Sequence, residues 1–193
     1  MKTFLGSVHI IVISLSLTFL SCNKTGLQKE YLLTDEMKDQ NPFMGGEKLY
    51  YLSDSMEQVV FKVSARDNKV HEVPHGQRTN MWDLYEVERM YISSDEGYYF
   101  LWDMHYNAGY NFYIDFTYKN RGWSFTYDLP LSRENNNFVD SLFIQEQWYH
   151  NIFISEEDTI GNKAYRLYYS TDYGIIKVDF SDNSYLELEK IQW

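Results

Sequence analysis

Tyr98-Tyr99-Phe100-Leu101-Trp102-Asp103-Met104-His105-Tyr106-Asn107-Ala108-Gly109-Tyr110-Asn111-Phe112-Tyr113-Ile114-Asp115-Phe116-Thr117-Tyr118 decides the fold of this chain. Asn107-Ala108-Gly109 offers residues that tolerate the backbone of a tight turn. Folding the chain back there sets Tyr106 against Tyr110, Met104 against Phe112, Trp102 against Ile114, Phe100 against Phe116 and Tyr98 against Tyr118. Every member of that series is apolar or aromatic. Side chains alternate along a strand, so a one-residue slip would scatter the series over both faces. Lys119-Asn120-Arg121-Gly122 reads as the next turn, which sets Tyr118 against Trp123, Phe116 against Phe125 and Ile114 against Tyr127. Cross-strand pairs of this type contribute a few tenths to about 1 kcal/mol each.

The opposite face of these strands carries Tyr99, Asp103, His105, Asn111, Tyr113, Asp115, Thr117, Ser124, Thr126 and Asp128, with Leu101 as the exception. One dry and one wet face is the pattern of an antiparallel sheet. Similar short alternating runs, separated by Asp, Asn, Ser and Gly, continue in both directions. Strands are expected near 47–53, 57–64, 83–93, 97–106, 110–118, 122–129, 138–145, 147–154, 163–170, 174–181 and 184–191. Pairing Tyr91 with Phe100 places Glu86 opposite His105 and Glu88 opposite Asp103. Residues 65–82, with Pro74 and Gly76, read as a long loop, and 27–40 as one short helix. So many strands must curl or split into layers. The predicted class is all-β: a strongly curved antiparallel meander or barrel of about ten strands, in the manner of lipocalins or the lipoprotein-carrier (LolA-like) half-barrels.

Composition agrees. The chain has 18 Tyr, 12 Phe and 5 Trp against only 3 Pro, which favours strands and argues against disorder. Its formal net charge of −11 repels phosphate backbones, so nucleic acid is not an expected partner. A single cysteine excludes an internal disulfide, and the fold must stand on packing.

That cysteine has a telling position. Lys2 provides a positive start, Val8 to Leu20 is a short apolar run, and Leu17-Thr18-Phe19-Leu20-Ser21-Cys22 follows. The run is shorter than the roughly 20 apolar residues of a membrane span and suits a signal peptide. The sequence resembles the lipobox of bacterial lipoproteins, with Phe19 where that family prefers Leu. The resemblance implies cleavage before Cys22, acylation of its sulfur and new amino group (diacylglyceryl and a fatty acid such as palmitate), and anchoring to membrane lipid. Two or more chains anchor stably, because each buried CH₂ contributes roughly 0.8 kcal/mol. The organisation read from this is a signal peptide over 1–21, a lipid-anchored tether over 22–46 and a single β domain over 47–193.

Candidate chemistry is sparse. His71-Glu72-Val73-Pro74-His75 has the letters of a zinc-protease helix, but Pro74 breaks a helix there, so a polar loop is expected and no metal or other cofactor is assigned. The wet face gathers Tyr99, Asp103, His105, Tyr113, Asp115 and Asp128 as the candidate ligand face, where Tyr99, Tyr113 and Trp148 could act as a sugar-stacking platform. Asp54-Ser55-Met56, Asp140-Ser141-Leu142 and Asp158-Thr159-Ile160 resemble O-glycosylation sites used by some gut-dwelling Gram-negative bacteria, which marks Ser55, Ser141 and Thr159. The run from Tyr168 to Leu188 resembles the C-terminal hairpin of β-rich lipoproteins from such bacteria, a group with no agreed activity.

These readings converge on a non-catalytic, membrane-anchored cell-envelope lipoprotein, a binding or scaffold module, expected at the outer membrane with the periplasmic face favoured. Three alternatives stand beside it. A carrier of apolar ligands would leave a cavity lined by Trp102, Met104, Phe112, Ile114 and Phe125. A surface glycan-binding module would use Tyr99 and Tyr113, and a hydrolase would need a convergent buried acid pair.

Overall fold

The computed structural model describes residues 26–76, 80–118, 121–156 and 164–193. Among them run thirteen strands and one helix: β1 (Gly26–Tyr31), α1 (Asp35–Lys38), β2 (Lys48–Ser53), β3 (Gln58–Val63), β4 (Asp67–Pro74), β5 (Met81–Ser94), β6 (Tyr98–Tyr106), β7 (Tyr110–Tyr118), β8 (Arg121–Asp128), β9 (Asn137–Ile144), β10 (Gln147–Glu156), β11 (Ala164–Ser170), β12 (Gly174–Phe180) and β13 (Tyr185–Gln192). All eleven expected strands are present. β1 and β4 were not expected, and each pairs with β5. The predicted helix over 27–40 shrinks to one turn. Thr34 caps it by accepting from the Met37 N–H at 3.2 Å, and Asn41-Pro42 follows its end. No helix among the described residues is long and apolar enough to cross a membrane.

The chain divides into two compact units, Met1–Glu30 with Glu72–Leu84, and Tyr31–His71 with Tyr85–Trp193. Within the first, the Gly26 N–H donates to Asn80 O at 3.1 Å and the His75 N–H to Met81 O at 2.9 Å. His75 Nδ1 lies 2.9 Å from Asp83 Oδ2.

The second unit is one open, strongly curled antiparallel sheet, a half-barrel, with strand order β8-β7-β6-β5-β3-β2-β13-β12-β11-β10-β9. The β2–β3 hairpin sits at its centre. A local meander of β5 to β8 extends one side, and a second meander from β13 back to β9 extends the other. Curling brings Tyr127 of β8 to the Leu167 carbonyl on β11, at 3.4 Å. Three more buried tyrosines span the interior in the same way. Tyr51 donates to Ile175 O at 2.5 Å, Tyr149 to Leu188 O at 3.4 Å and Tyr169 to Gln40 O at 2.5 Å.

The first hairpin has the expected register at all five pairs, from Tyr106↔Tyr110 to Tyr98↔Tyr118. The second differs by two residues: Tyr118 pairs with Arg121, Phe116 with Trp123, Ile114 with Phe125 and Phe112 with Tyr127. A shift of two keeps every side chain on its face, so hydrophobic patterning cannot distinguish the two registers; the length of the turn decides. The β5–β6 register differs by one. Ile92, not Tyr91, pairs with Phe100, and Arg89 pairs with Asp103. Two forces favour this slip. It buries Met90 and Ile92 completely, and it exchanges a Glu88–Asp103 repulsion for an Arg89–Asp103 salt bridge of 2.7 Å.

The same slip turns Glu86 and Glu88 inward, where both are buried. The compensating charge comes from Arg66, just after β3, and from residues 31–46, the segment read from sequence as the end of a tether. Lys38 of α1 sits 2.6 Å from Glu86, and Arg66 sits 3.6 Å from Glu88. Glu86 also accepts from the Leu33 N–H at 2.8 Å and from Asn68 at 2.7 Å. Arg66 donates to the carbonyls of Phe43 (2.6 Å) and Asn41 (2.5 Å). This segment plugs the hollow of the sheet, with Leu33, Met37 and Phe43 buried in the core.

Candidate functional site

The expected ligand face is real as a face. Asp103 pairs with Tyr113, Leu101 with Asp115 and Asn111 with Asp128, all on the side away from the core. Its chemistry is largely spent locally. Asp103 is buried; one oxygen takes Arg89 Nε at 2.7 Å and the other lies 2.6 Å from His105 Nδ1. The hydrogen bond that Arg89 donates to Asp103 raises the Arg89 pKa further. The His105 ring lies on Tyr113, centroids 5.1 Å apart and 18° from parallel. Tyr99 packs with Tyr91 at 5.9 Å, and burial lifts its phenol pKa. Trp148 pairs instead with Phe143 on β9, at 5.1 Å. The three-ring platform therefore resolves into three separate pairs.

Other predicted positions scatter. Ser55 is exposed in the β2–β3 turn, its Oγ 2.8 Å from Ser53 Oγ. Ser141 is half-buried on β9 opposite His150. Cys22 and Thr159 lie outside the described residues. His71 and Glu72 lie on β4, an extended strand rather than a loop, and His75 follows its end. A strand sets residues four apart about 13 Å from each other, too far to share one ion. Among the described residues, no three His, Cys, Asp or Glu side chains converge as metal ligands.

The hollow of the half-barrel is filled. Trp102, Met104, Phe112, Ile114 and Phe125, which a carrier would leave lining a cavity, are at most 1% exposed. Trp102, Phe112 and Tyr169 meet edge to face at 5.1 to 5.5 Å, and Phe43 of the plug lies 5.3 Å from Trp102. Such packing leaves these five side chains no room for an apolar ligand.

Space opens instead at one end of the sheet. Where the last residues of β2, β7 and β12 meet the first of β6, β8 and β13, a cavity of about 420 Å³ remains. Pockets for small ligands occupy about 300–1,000 Å³. Its aromatic wall is Tyr98, Tyr118, Trp123, Phe180 and Tyr185. Tyr98, Tyr118, Trp123 and Phe180 continue the core face outward: Tyr98 and Tyr118 stack at 4.0 Å and 8°, and Phe116 beneath them stacks on Trp123 at 5.7 Å and 25°. Burial and then the hydrogen bond to Tyr118 push the Tyr98 phenol well above its ordinary pKa, so it stays a protonated hydroxyl.

The polar side of the cavity comes from turns. Asp54 and Ser53 enter from β2–β3, and Asp182 and Ser184 from β12–β13. Asp182 accepts from the Ser184 hydroxyl at 2.6 Å and the Ser184 N–H at 3.0 Å, which hold its carboxyl below the usual range. Arg121 stands exposed at the rim, with no salt bridge among the described residues. On the outer face of β12, Lys177 lies 5.2 Å from the Tyr185 ring and is held by Glu187 at 2.9 Å and Asp179 at 3.4 Å. Sequence reading had placed Tyr98, Tyr118 and Trp123 in the core and Asp54 and Asp182 in turns. The usable signal was inward-facing aromatics at strand ends, directly beside acidic turns.

No family model, curated protein or solved structure matches the chain.

Proposed function

We propose that this protein is a lipid-anchored envelope protein whose half-barrel is a non-catalytic binding module, with the end cavity as its ligand site. The carrying observation is the contrast between a solidly filled interior and an open, amphipathic cavity of about 420 Å³ at the end of the same sheet. A fold that fills its centre and leaves aromatic rings uncovered at one mouth retains an apolar surface that water disfavours and a ligand would cover. The acid groups support a binding role over hydrolysis. Asp103 is committed to Arg89 and His105, and Glu86 and Glu88 to Lys38 and Arg66, so these carboxylates are neutralised where they stand. Anchoring rests on Cys22 and the apolar run before it. It would hold the module at the outer membrane, on the periplasmic side.

Two measurements test the two halves. Intact-mass analysis of the mature chain should show an acylated residue 22 at the N-terminus, and Cys22→Ala should move the protein from the membrane to the soluble fraction. An unmodified mature start, or Cys22→Ala remaining membrane-bound, overturns the anchor. For the site, the reporter is the indole N–H NMR signal of Trp123, assigned by its loss in Trp123→Phe, since the chain has five tryptophans. A ligand that binds must shift that signal, and binding that leaves it unchanged places the site elsewhere.

A further inference from the structure

We infer that the end cavity takes a neutral sugar, packed against the aromatic wall of Tyr98, Tyr118 and Trp123 and held at its hydroxyls by Asp182 and Arg121. The inference rests on the cavity being the ligand site and goes further by naming the ligand class. One face of a pyranose ring presents C–H groups, which carry slight positive charge and match the negative face of an aromatic ring. Its edge carries hydroxyls that both donate and accept. The cavity has the same division: an aromatic wall on one side, and on the other a carboxylate acceptor, a guanidinium donor and serine hydroxyls.

Charge narrows the class. Asp54 and Asp182 at the rim, on a chain of net charge −11, oppose an anionic ligand such as a phosphate or a uronate. Arg121 at the rim opposes a quaternary ammonium, which an aromatic cage would otherwise attract. A neutral, hydroxyl-rich ring is disfavoured by neither sign. Asp182 is also prepared for the task. Ser184 fixes it as a carboxylate while leaving lone pairs for a ligand hydroxyl, and a charged acceptor strengthens such a bond. The volume of about 420 Å³ suits a mono- or disaccharide.

The test titrates the purified mature protein with cellobiose, maltose, lactose and diacetylchitobiose, reading the assigned side-chain NMR signals of Trp123, Tyr98 and Tyr118. Glucuronate and hexyltrimethylammonium are the charged comparators. A neutral saccharide should bind and shift the signals of Trp123, Tyr98 and Tyr118. Asp182→Asn and Arg121→Gln, both exposed and remote from the core, should each weaken it about tenfold, while thermal melts show the fold intact. Tighter binding of glucuronate or the ammonium probe at the same signals overturns the sugar assignment and leaves the cavity as the site. Saccharide binding that moves other signals, or that ignores both substitutions, overturns both. No response from any probe overturns the sugar assignment.

Discussion

At the scale of single residues, Gly174 shows how tightly the interior is closed. Its φ is +74°, in the left-handed region, and a Cβ there would come within 2.6 and 2.8 Å of two Phe43 ring atoms and 3.2 Å of Trp102. Gly174→Ala therefore combines backbone strain with overpacking, and should cost about 2–4 kcal/mol in urea unfolding. Phe43→Ala removes a fully buried ring and should cost about 3–5 kcal/mol. The double variant should be less destabilised than the sum of the two, because the alanine at 43 vacates the space that the new methyl needs. Strict additivity would mean that the two sites do not touch.

At the scale of elements, the plug of residues 31–47 depends on charges brought inside the sheet. Burial pushes the Glu86 pKa up, but the hydrogen bonds from Lys38, Asn68 and the Leu33 N–H, with the Lys38 charge, more than reverse it, and the net shift is downward. A carboxyl whose folded pKa is depressed stabilises the fold above its ordinary value of 4.5, and that contribution disappears as pH falls through the folded value. Acid should therefore loosen the plug first, seen as faster amide exchange at residues 33–38 than in β6 and β7. Glu86→Gln should cost about 2 kcal/mol at neutral pH and make the acid limb of the stability curve shallower. An unchanged acid limb would rule out this account. The plug also explains what the sequence could convey. Runs such as Tyr98 to Tyr118 alternate cleanly because one face meets core and the other water, and those strands were legible. In β5 the alternation is broken by Glu86 and Glu88, whose cationic partners come from segments far away in sequence. No local pattern announces that Lys38 and Arg66 will meet them, so the register was misjudged by one. β4 was missed because all eight of its residues are exposed, which leaves no hydrophobic period to read. The cavity was missed for a related reason: it forms only where six strand ends converge.

At the scale of the whole molecule, tyrosine hydroxyls act as cross-braces in place of disulfides. Tyr51, Tyr127 and Tyr169 have phenol pKa values raised far above 10 by burial, and Tyr149 is pushed up to about 12. A phenol raised in the folded state contributes full stability below its ordinary pKa, and loses it as pH climbs from there toward the folded value. Alkaline unfolding should therefore be cooperative. The phenolate absorbance of these four residues should appear together with the loss of the β-sheet circular dichroism signal, after the exposed tyrosines have titrated. Gradual ionisation of all tyrosines near pH 10 with the sheet intact would contradict the bracing role.

The central seam between β2 and β13 has a consequence in time. Gln58 beside it bonds Glu189 across 131 positions, and Tyr50 bonds Gln192 across 142. A nascent chain emerging from a ribosome can roll up β5 to β8 early, since those hairpins are local, but the margin of β2 waits until β13 arrives. Until then a raw, hydrophobic sheet margin faces the surroundings, inviting stray pairing. Stray pairing of the β2 margin is thus the hazard of a newly made chain until its last strand is complete, and a chain cut short before Tyr185 keeps that margin open for good.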